Sequence, residues 1–199
     1  MKIANLTHGS SVYTSNAYLL TGTWNAIPDV NTLVDTGRDA KIIEAIYNSP
    51  TGVGKRRLDQ VILTHSHYDH ASMAPAIQKE FGSVVCGSSP NFEGIDRVLK
   101  DGERIRVADL NAEVIYTPGH SNDSLCLYCE GEGILFIGDS PIIIQTRDNT
   151  YEDAFLKSLE RIAKLNVTAI YPGHGHPILS DCNELIRQSL ANVSAKKIS

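Results

Sequence analysis

Thr64-His65-Ser66-His67-Tyr68-Asp69-His70 packs three imidazoles and a carboxylate into seven residues. Neutral imidazole and carboxylate are the donors that a borderline divalent ion such as zinc takes when no thiolate is offered. The stretch follows Val61-Ile62-Leu63, an apolar run of the kind that forms a buried strand, and precedes Ala71–Phe81, which reads as a helix. In the extended part, His65 and His67 stand two residues apart and project to the same side. Where the chain turns into the helix, Asp69 and His70 swing away, toward a second, neighbouring ion. The competing reading is a histidine-rich surface patch with adventitious metal affinity.

The rest of the chain decides between the two. Of the seven histidines, two more stand in closely similar settings. Glu113-Val114-Ile115-Tyr116-Thr117-Pro118-Gly119-His120 is an apolar run ending in Pro-Gly-His, and Thr168-Ala169-Ile170-Tyr171-Pro172-Gly173-His174 is another. Between them Ile134-Leu135-Phe136-Ile137-Gly138-Asp139 ends a further run in Gly-Asp. Four strand candidates thus each stop at a donor, three of them beside a glycine that permits a tight turn. Loops at strand ends, held by a rigid sheet, are where binding residues concentrate.

On these residues the chain resembles the metallo-β-lactamase-fold hydrolase superfamily, in the branch that carries His-x-His-x-Asp-His. The downstream His, Asp and final His of the family pattern are present in order, and the resemblance runs from about Asn16 to His176. It implies that His65, His67 and His120 hold one metal, that Asp69, His70 and His174 hold a second, and that Asp139 bridges them. It implies an α/β (α+β) architecture, an αββα sandwich of two mixed β-sheets with helices on both outer faces. Asp35, in Val34-Asp35-Thr36-Gly37, matches a family position that braces the metal loop; a plain turn-forming aspartate is the other reading. His8 reads as a surface or turn residue; His176 competes with His174 for the ligand role, but the repeated Pro-Gly-His context favours His174 and leaves His176 behind it or on the rim.

Composition agrees with one catalytic domain spanning residues 1–199. The hydrophobic fraction of 42% and charged fraction of 21% are ordinary for a globular chain. A net charge of −5 speaks against a dedicated nucleic-acid binder. Polar residues follow Met1 directly and no apolar run approaches the ~20 residues a bilayer requires, so no leader, no membrane partner and a cytoplasmic location are expected. A homodimer is left open. Cys86, Cys126, Cys129 and Cys182 are expected to be reduced and buried. Cys126 and Cys129, three apart on a strand, face opposite sides and make no shared site.

Strands are expected at Lys2–Thr7, Asn16–Leu20, Thr32–Asp35, Val61–Leu63, Val84–Cys86, Arg104–Val107, Ala112–Tyr116, Leu125–Cys129, Ile134–Ile137 and Thr168–Tyr171. Helices are expected at Arg38–Tyr47, Ala71–Phe81, Tyr151–Leu165 and Asp181–Ser194, the last opening with Asp181 and Glu184 spaced as a capping box.

Two divalent ions sharing Asp139 and a water would bring that water's pKa toward neutrality and supply a metal-bridging hydroxide. The cofactors expected are therefore two divalent metal ions, zinc first, with iron or manganese as alternatives. Asp69 is the carboxylate best placed to orient the water or carry its proton. The expected reaction is hydrolysis of a thioester, ester or lactone in a small-molecule substrate. The metal motif is similar to that of the glyoxalase II (hydroxyacylglutathione hydrolase) group. Only enough chain for one helix follows His174, which counts against glutathione thioesters, and Ser140-Pro141-Ile142-Ile143-Ile144 lacks the Gly-Arg-Thr-Asp-like sequence associated with both that group and the persulfide dioxygenases. An iron-dependent persulfide dioxygenase and a non-catalytic metal-binding module of the same fold are the alternatives. Tyr13, Trp24, Tyr68, Arg147 and Tyr151 lie on loops near the expected site mouth; for each, plain loop packing is favoured over a place in the substrate pocket.

Overall fold

Short apolar runs, cut by Gly, Pro and Asx turns, pair into two sheets in the computed structural model, which describes residues 1–89, 94–146 and 151–194. The first sheet contains β1 (Lys2–Asn5), β2 (Tyr18–Thr21), β3 (Thr32–Val34), β4 (Gln60–Ile62), β5 (Val84–Gly87) and β6 (Arg97–Val98), hydrogen-bonded in that order. Its first two pairings are antiparallel and the rest parallel. The second contains β7 (Arg104–Val107), β8 (Leu110–Tyr116), β9 (Leu125–Cys129), β10 (Ile134–Gly138) and β11 (Ala169–Pro172) in the order β11-β10-β9-β8-β7. Only β10–β11 is parallel there. Both sheets are therefore mixed.

Helices α1 (Ile42–Asn48), α2 (Tyr68–Ala71) and α3 (Ala74–Phe81) belong to the first sheet's half, α4 (Asp153–Ile162) and α5 (Cys182–Ser194) to the second's. Strands buried on both faces distribute alternate side chains between two cores. Ile62 joins Val34, Leu127 and Phe136 between the sheets, while Val61 and Leu63 pack outward with Ile42, Ile46 and Ile77 of the helices. On the other side Ile115, Leu135 and Ile170 pack on Phe155, Leu159 and Ile186. The result is the expected αββα sandwich. Phe155 is fully buried in it, and its truncation to Ala is worth about 3–5 kcal/mol.

The same alternation separates the Cys pair. Cys126 lies in the helix-side core and Cys129 between the sheets, and all four cysteines are free and buried. Burial pushes the Cys126 thiol up to about 11 and that of Cys129 to about 12.

The single helix expected over Ala71–Phe81 is two helices, the first starting at Tyr68. Pro75 lacks the N–H that would reach Ala71 and its ring crowds that carbonyl, so the chain breaks between them. The helix expected from Arg38 starts at Ile42, because the Asp39 carboxylate accepts the Lys41 N–H (3.0 Å) and shapes the approach as a turn. Asp181 takes φ +57°, outside the extended conformation of a capping residue, so the expected capping-box geometry is not adopted. The edge strand Arg97–Val98 was not anticipated; both its residues are exposed and carry no burial pattern.

The two sheets are joined at the end where β3, β4, β8, β10 and β11 finish. The Leu125 N–H donates to Thr64 O (2.8 Å) and Asn16 N–H to Gly173 O (2.7 Å). The Tyr18 hydroxyl and Asn16 Nδ2 both donate to Pro172 O, at 2.8 and 2.9 Å.

Candidate metal centre

Asp35 follows β3 with φ +57°, a left-handed conformation that Asp tolerates better than most residues. The conformation aims its buried carboxylate at the turn after β4. Oδ1 accepts the Thr64 N–H, and Oδ2 accepts both the Thr64 hydroxyl and His70 Nδ1, each at 2.8 Å. Thr64 has one hydroxyl proton and spends it on Asp35, so toward His65 Nδ1, 3.2 Å away, its oxygen accepts. His65 and His70 thereby both carry a proton on Nδ1 and turn Nε2 toward the other donors. The bracing role of Asp35 is thus borne out; Thr64, its partner, carried no signal beyond its place beside His65.

Three groups of donors gather at this end, each with its ligand atoms within 4.8 Å of one another: His65–His67–His120, Asp69–His70–His174, and His65–His70–Asp139. Asp139 stands among them. Its Oδ1 lies 3.3 Å from His70 Nε2, and Oδ2 lies 3.5 Å from His174 Nε2 and 3.7 Å from His120 Nε2. The Asp69 carboxylate is 3.0 Å from His174 Nε2 and 3.9 Å from His70 Nε2. His67 Nδ1 and His120 Nε2 approach to 3.0 Å. All seven residues expected from the sequence are therefore brought together, in the two expected triads with Asp139 between.

The donor set fits divalent metal on an independent ground. Nε2 of His65, His70 and His174 are buried atoms without a well-directed hydrogen bond, although His70 approaches Asp139 to 3.3 Å and His174 approaches Asp69 to 3.0 Å. Buried polar atoms are nearly always paired, and three imidazole nitrogens turned on carboxylates without such a bond suit a bound cation. Two glycines permit the convergence. A Cβ on Gly138 would fall 2.4 Å from Thr64 Oγ1, and one on Gly173 would fall 2.3 Å from Asp139 Oδ1 and 2.6 Å from His70 Cε1.

The electrostatics reflect this crowding. Burial, then the neighbouring His70, pushes His65 down to about 4. Burial also works to lower His70, but Asp35 and Asp139 outweigh it and raise the imidazole to about 10. For Asp139 burial favours the neutral acid, yet His70, His174 and His65 hold the carboxyl down at about 2.

Two recesses flank His174. One, of about 430 Å³, is lined by His120, Asp139 and His174 and walled by the segment after Asp139. The other, of about 550 Å³, lies beyond His174 under the loop that joins β1 to β2. Tyr13 of that loop stacks on the His174 ring at 5.4 Å and 18°. His176 is exposed and lines both recesses, as a rim residue should; exposed His8 lines the larger one. Tyr68 is exposed beside His67, with the Arg38 guanidinium 5.2 Å from its ring centre. Two residues expected at the site mouth are elsewhere. Trp24 follows the end of β2, which is antiparallel to β3 and so leaves the site for the opposite end. Tyr151 packs on Phe155 in the helix-side core. Arg147 lies outside the described residues.

Comparison with known proteins agrees with this arrangement. The hydroxyacylglutathione hydrolase of Chelativorans sp. is 31% identical over 152 residues, covering 73% of this chain and 57% of that protein. The atrochrysone carboxyl ACP thioesterase of Aspergillus fumigatus is 26% identical over 169 residues, covering 79% and 51% respectively. The chain spans about half the length of the curated relatives it matches. A crystal structure of a metallo-beta-lactamase family protein from Thermus thermophilus shares the fold, with a TM-score of 0.69 at 22% identity over 98% of this chain and 79% of that one. The family model for the metallo-beta-lactamase superfamily matches residues 11–93 and 87–174, which hold all seven clustered residues, and the chain belongs to that superfamily.

Proposed function

We propose that the chain is a metal-dependent hydrolase that cleaves a thioester, ester or lactone at a two-metal centre. The observation that carries the reading is the convergence of three buried Nε2 atoms, none with a well-directed hydrogen bond, on Asp139 and Asp69. In this reading His65, His67 and His120 hold one divalent ion, Asp69, His70 and His174 hold the other, and Asp139 reaches both. Zinc is the ion proposed, because four or fewer imidazole and carboxylate donors per ion and no thiolate suit it. When bound, such a pair supplies a water acidified to near neutrality and a Lewis acid for the substrate's carbonyl oxygen.

The chain's own residues do the rest. Asp35 and Thr64 hold the two buried imidazoles in the orientation that turns Nε2 toward the other donors. Asp69 is partly exposed, its carboxylate 3.0 Å from His174 Nε2, and is assigned to orient the attacking water and carry its proton. Two relatives named for thioester substrates support the thioester as the first bond to try.

Metal analysis of protein purified without chelator, with assays on a thioester, lactone and phosphodiester panel, tests the reading. About two ions per chain and chelator-sensitive acyl turnover are expected. Stoichiometric metal without turnover on any panel member overturns the hydrolase and favours a binding module. One iron with sulfite formed from a persulfide favours a dioxygenase. Asp69→Asn with both metals bound and full turnover removes the proton-carrying role.

A further inference from the structure

The segment Ser140-Pro141-Ile142-Ile143-Ile144, directly after Asp139, forms no regular helix or strand yet is firmly held. Ser140 Oγ bonds Thr117 Oγ1 at 2.7 Å. At the other end the Ile144 N–H donates to Ser189 Oγ (2.7 Å), and Ile144 O accepts from Asn192 Nδ2 (2.8 Å), both on α5. Fixed at both ends, the segment turns Ile142 and Ile144 into the core and leaves Pro141 and Ile143 partly exposed. With Ile178 from across β11 they wall the 430 Å³ recess whose other side is His120, Asp139 and His174. The volume lies in the range of small-ligand pockets. Among the described residues, no lysine or arginine lines this recess or the larger one beyond His174. The larger recess is more mixed: Asn5, Thr7, His8, Ser10 and Asn16 line it beside Ile3, Val12 and several tyrosines.

We infer that the substrate carries an uncharged aliphatic chain, which lies along Pro141, Ile143 and Ile178 while the scissile carbonyl sits at Asp139. The inference rests on the hydrolase reading and deepens it by naming one half of the substrate. Three features carry it together. The wall is apolar, it is preformed by hydrogen bonds to a helix, and it shares its recess with the metal-binding residues, so a group that covers it is within reach of the chemistry. Along that wall, away from the metal-binding residues, an anionic group such as a phosphate or carboxylate would meet no lysine or arginine among the described residues.

Two substrate series locate the chain. One varies the acyl group from acetyl to octanoyl on a constant thiol; the other keeps acetyl and lengthens an alkyl thiol. In one of the two, kcat/KM of the zinc-loaded protein is expected to rise about threefold per methylene until the recess is filled. The series that rises tells which side of the carbonyl the chain occupies. Ile143→Asn should flatten that rise, and Ile143→Phe should move the optimum to shorter chains, with melting temperature and zinc content confirming that both variants fold. Turnover that is flat or falling with length in both series overturns the inference and leaves the hydrolase standing. If no member turns over, calorimetric binding of acetate through octanoate and of the alkyl thiols to the zinc-loaded protein decides. Affinity that climbs with length and is lost in Ile143→Asn supports the recess although the hydrolase reading has failed, and affinity independent of length overturns it.

Discussion

The two sheets furnish the candidate metal centre in opposite ways. The first sheet delivers His65, His67, Asp69 and His70 from one turn after β4 and locks that turn to Asp35 at the end of β3. Its inner ligands are sealed, with His65 2% and His70 0% exposed. The second sheet delivers His120, Asp139 and His174 from three separate loops, and their side chains stay 32%, 19% and 34% exposed. One half is a foundation whose ring orientations are set before any ion arrives; the other is the face that opens on both recesses. Tight ligand placement and substrate access make conflicting demands on packing, and dividing them between two sheets meets both.

Removing Asp139 is the harshest test of that division, since it alone among the exposed ligands reaches both triads. Metal chemistry at such centres is worth several kcal/mol, so Asp139→Ala should cost on the order of 10³-fold in turnover and lower the metal content measured by mass spectrometry. A variant that keeps two ions and most of its activity would show the second sheet's contribution to be dispensable. Asp35→Asn attacks the foundation instead. Asn tolerates the φ of +57°, so the backbone survives while the charged acceptor for His70 and Thr64 is lost. Metal affinity should fall about 10–100-fold in a competitive chelator titration, more at the Asp69–His70–His174 triad than at the other. No loss at either triad would mean that the sheet-one half is not organised by Asp35.

The same division explains what could be read from the residues alone. The four ligands of the first sheet are contiguous, so their chemistry is visible as a string of letters. The ligands of the second sheet were visible because each ends an apolar run beside glycine, and Gly138 and Gly173 prove to be where a Cβ would collide with Thr64, Asp139 or His70. Strand alternation likewise placed Cys126 and Cys129 in different cores. Less legible was anything set by contact between distant segments. The Pro75 break, the stacking of Tyr13 on His174, and the removal of Trp24 to the far end depend on partners from other elements. The αββα layering followed from the family resemblance; a strand buried on both faces has no polar alternation to announce its neighbours.

Stability against pH offers a milder test of the foundation. In the metal-free protein the His70 pKa is raised from 6.5 to about 10 in the folded state by Asp35 and Asp139, against the effect of burial. A raised basic group contributes stability that is fully present below the unfolded value of 6.5 and is lost as pH climbs toward 10. The urea midpoint of chelator-treated protein should therefore decline across that window more steeply than that of chelator-treated His70→Gln. Parallel curves would remove His70 from the foundation.

The smallest effect is expected on the open half. Tyr13 is 72% exposed and touches the site through its stack on His174. Stacked aromatic pairs contribute about 0.5–1.5 kcal/mol, and an exposed one belongs at the bottom of that range. Tyr13→Ala should thus weaken metal binding about twofold and leave the Asp35-dependent affinity difference between the triads unchanged. Tyr13→Phe should restore the loss, since the stack needs the ring and not the hydroxyl. A loss as large as that of Asp35→Asn would place the β1–β2 loop within the foundation, and the contrast between a locked half and an open half would have to be redrawn around His174.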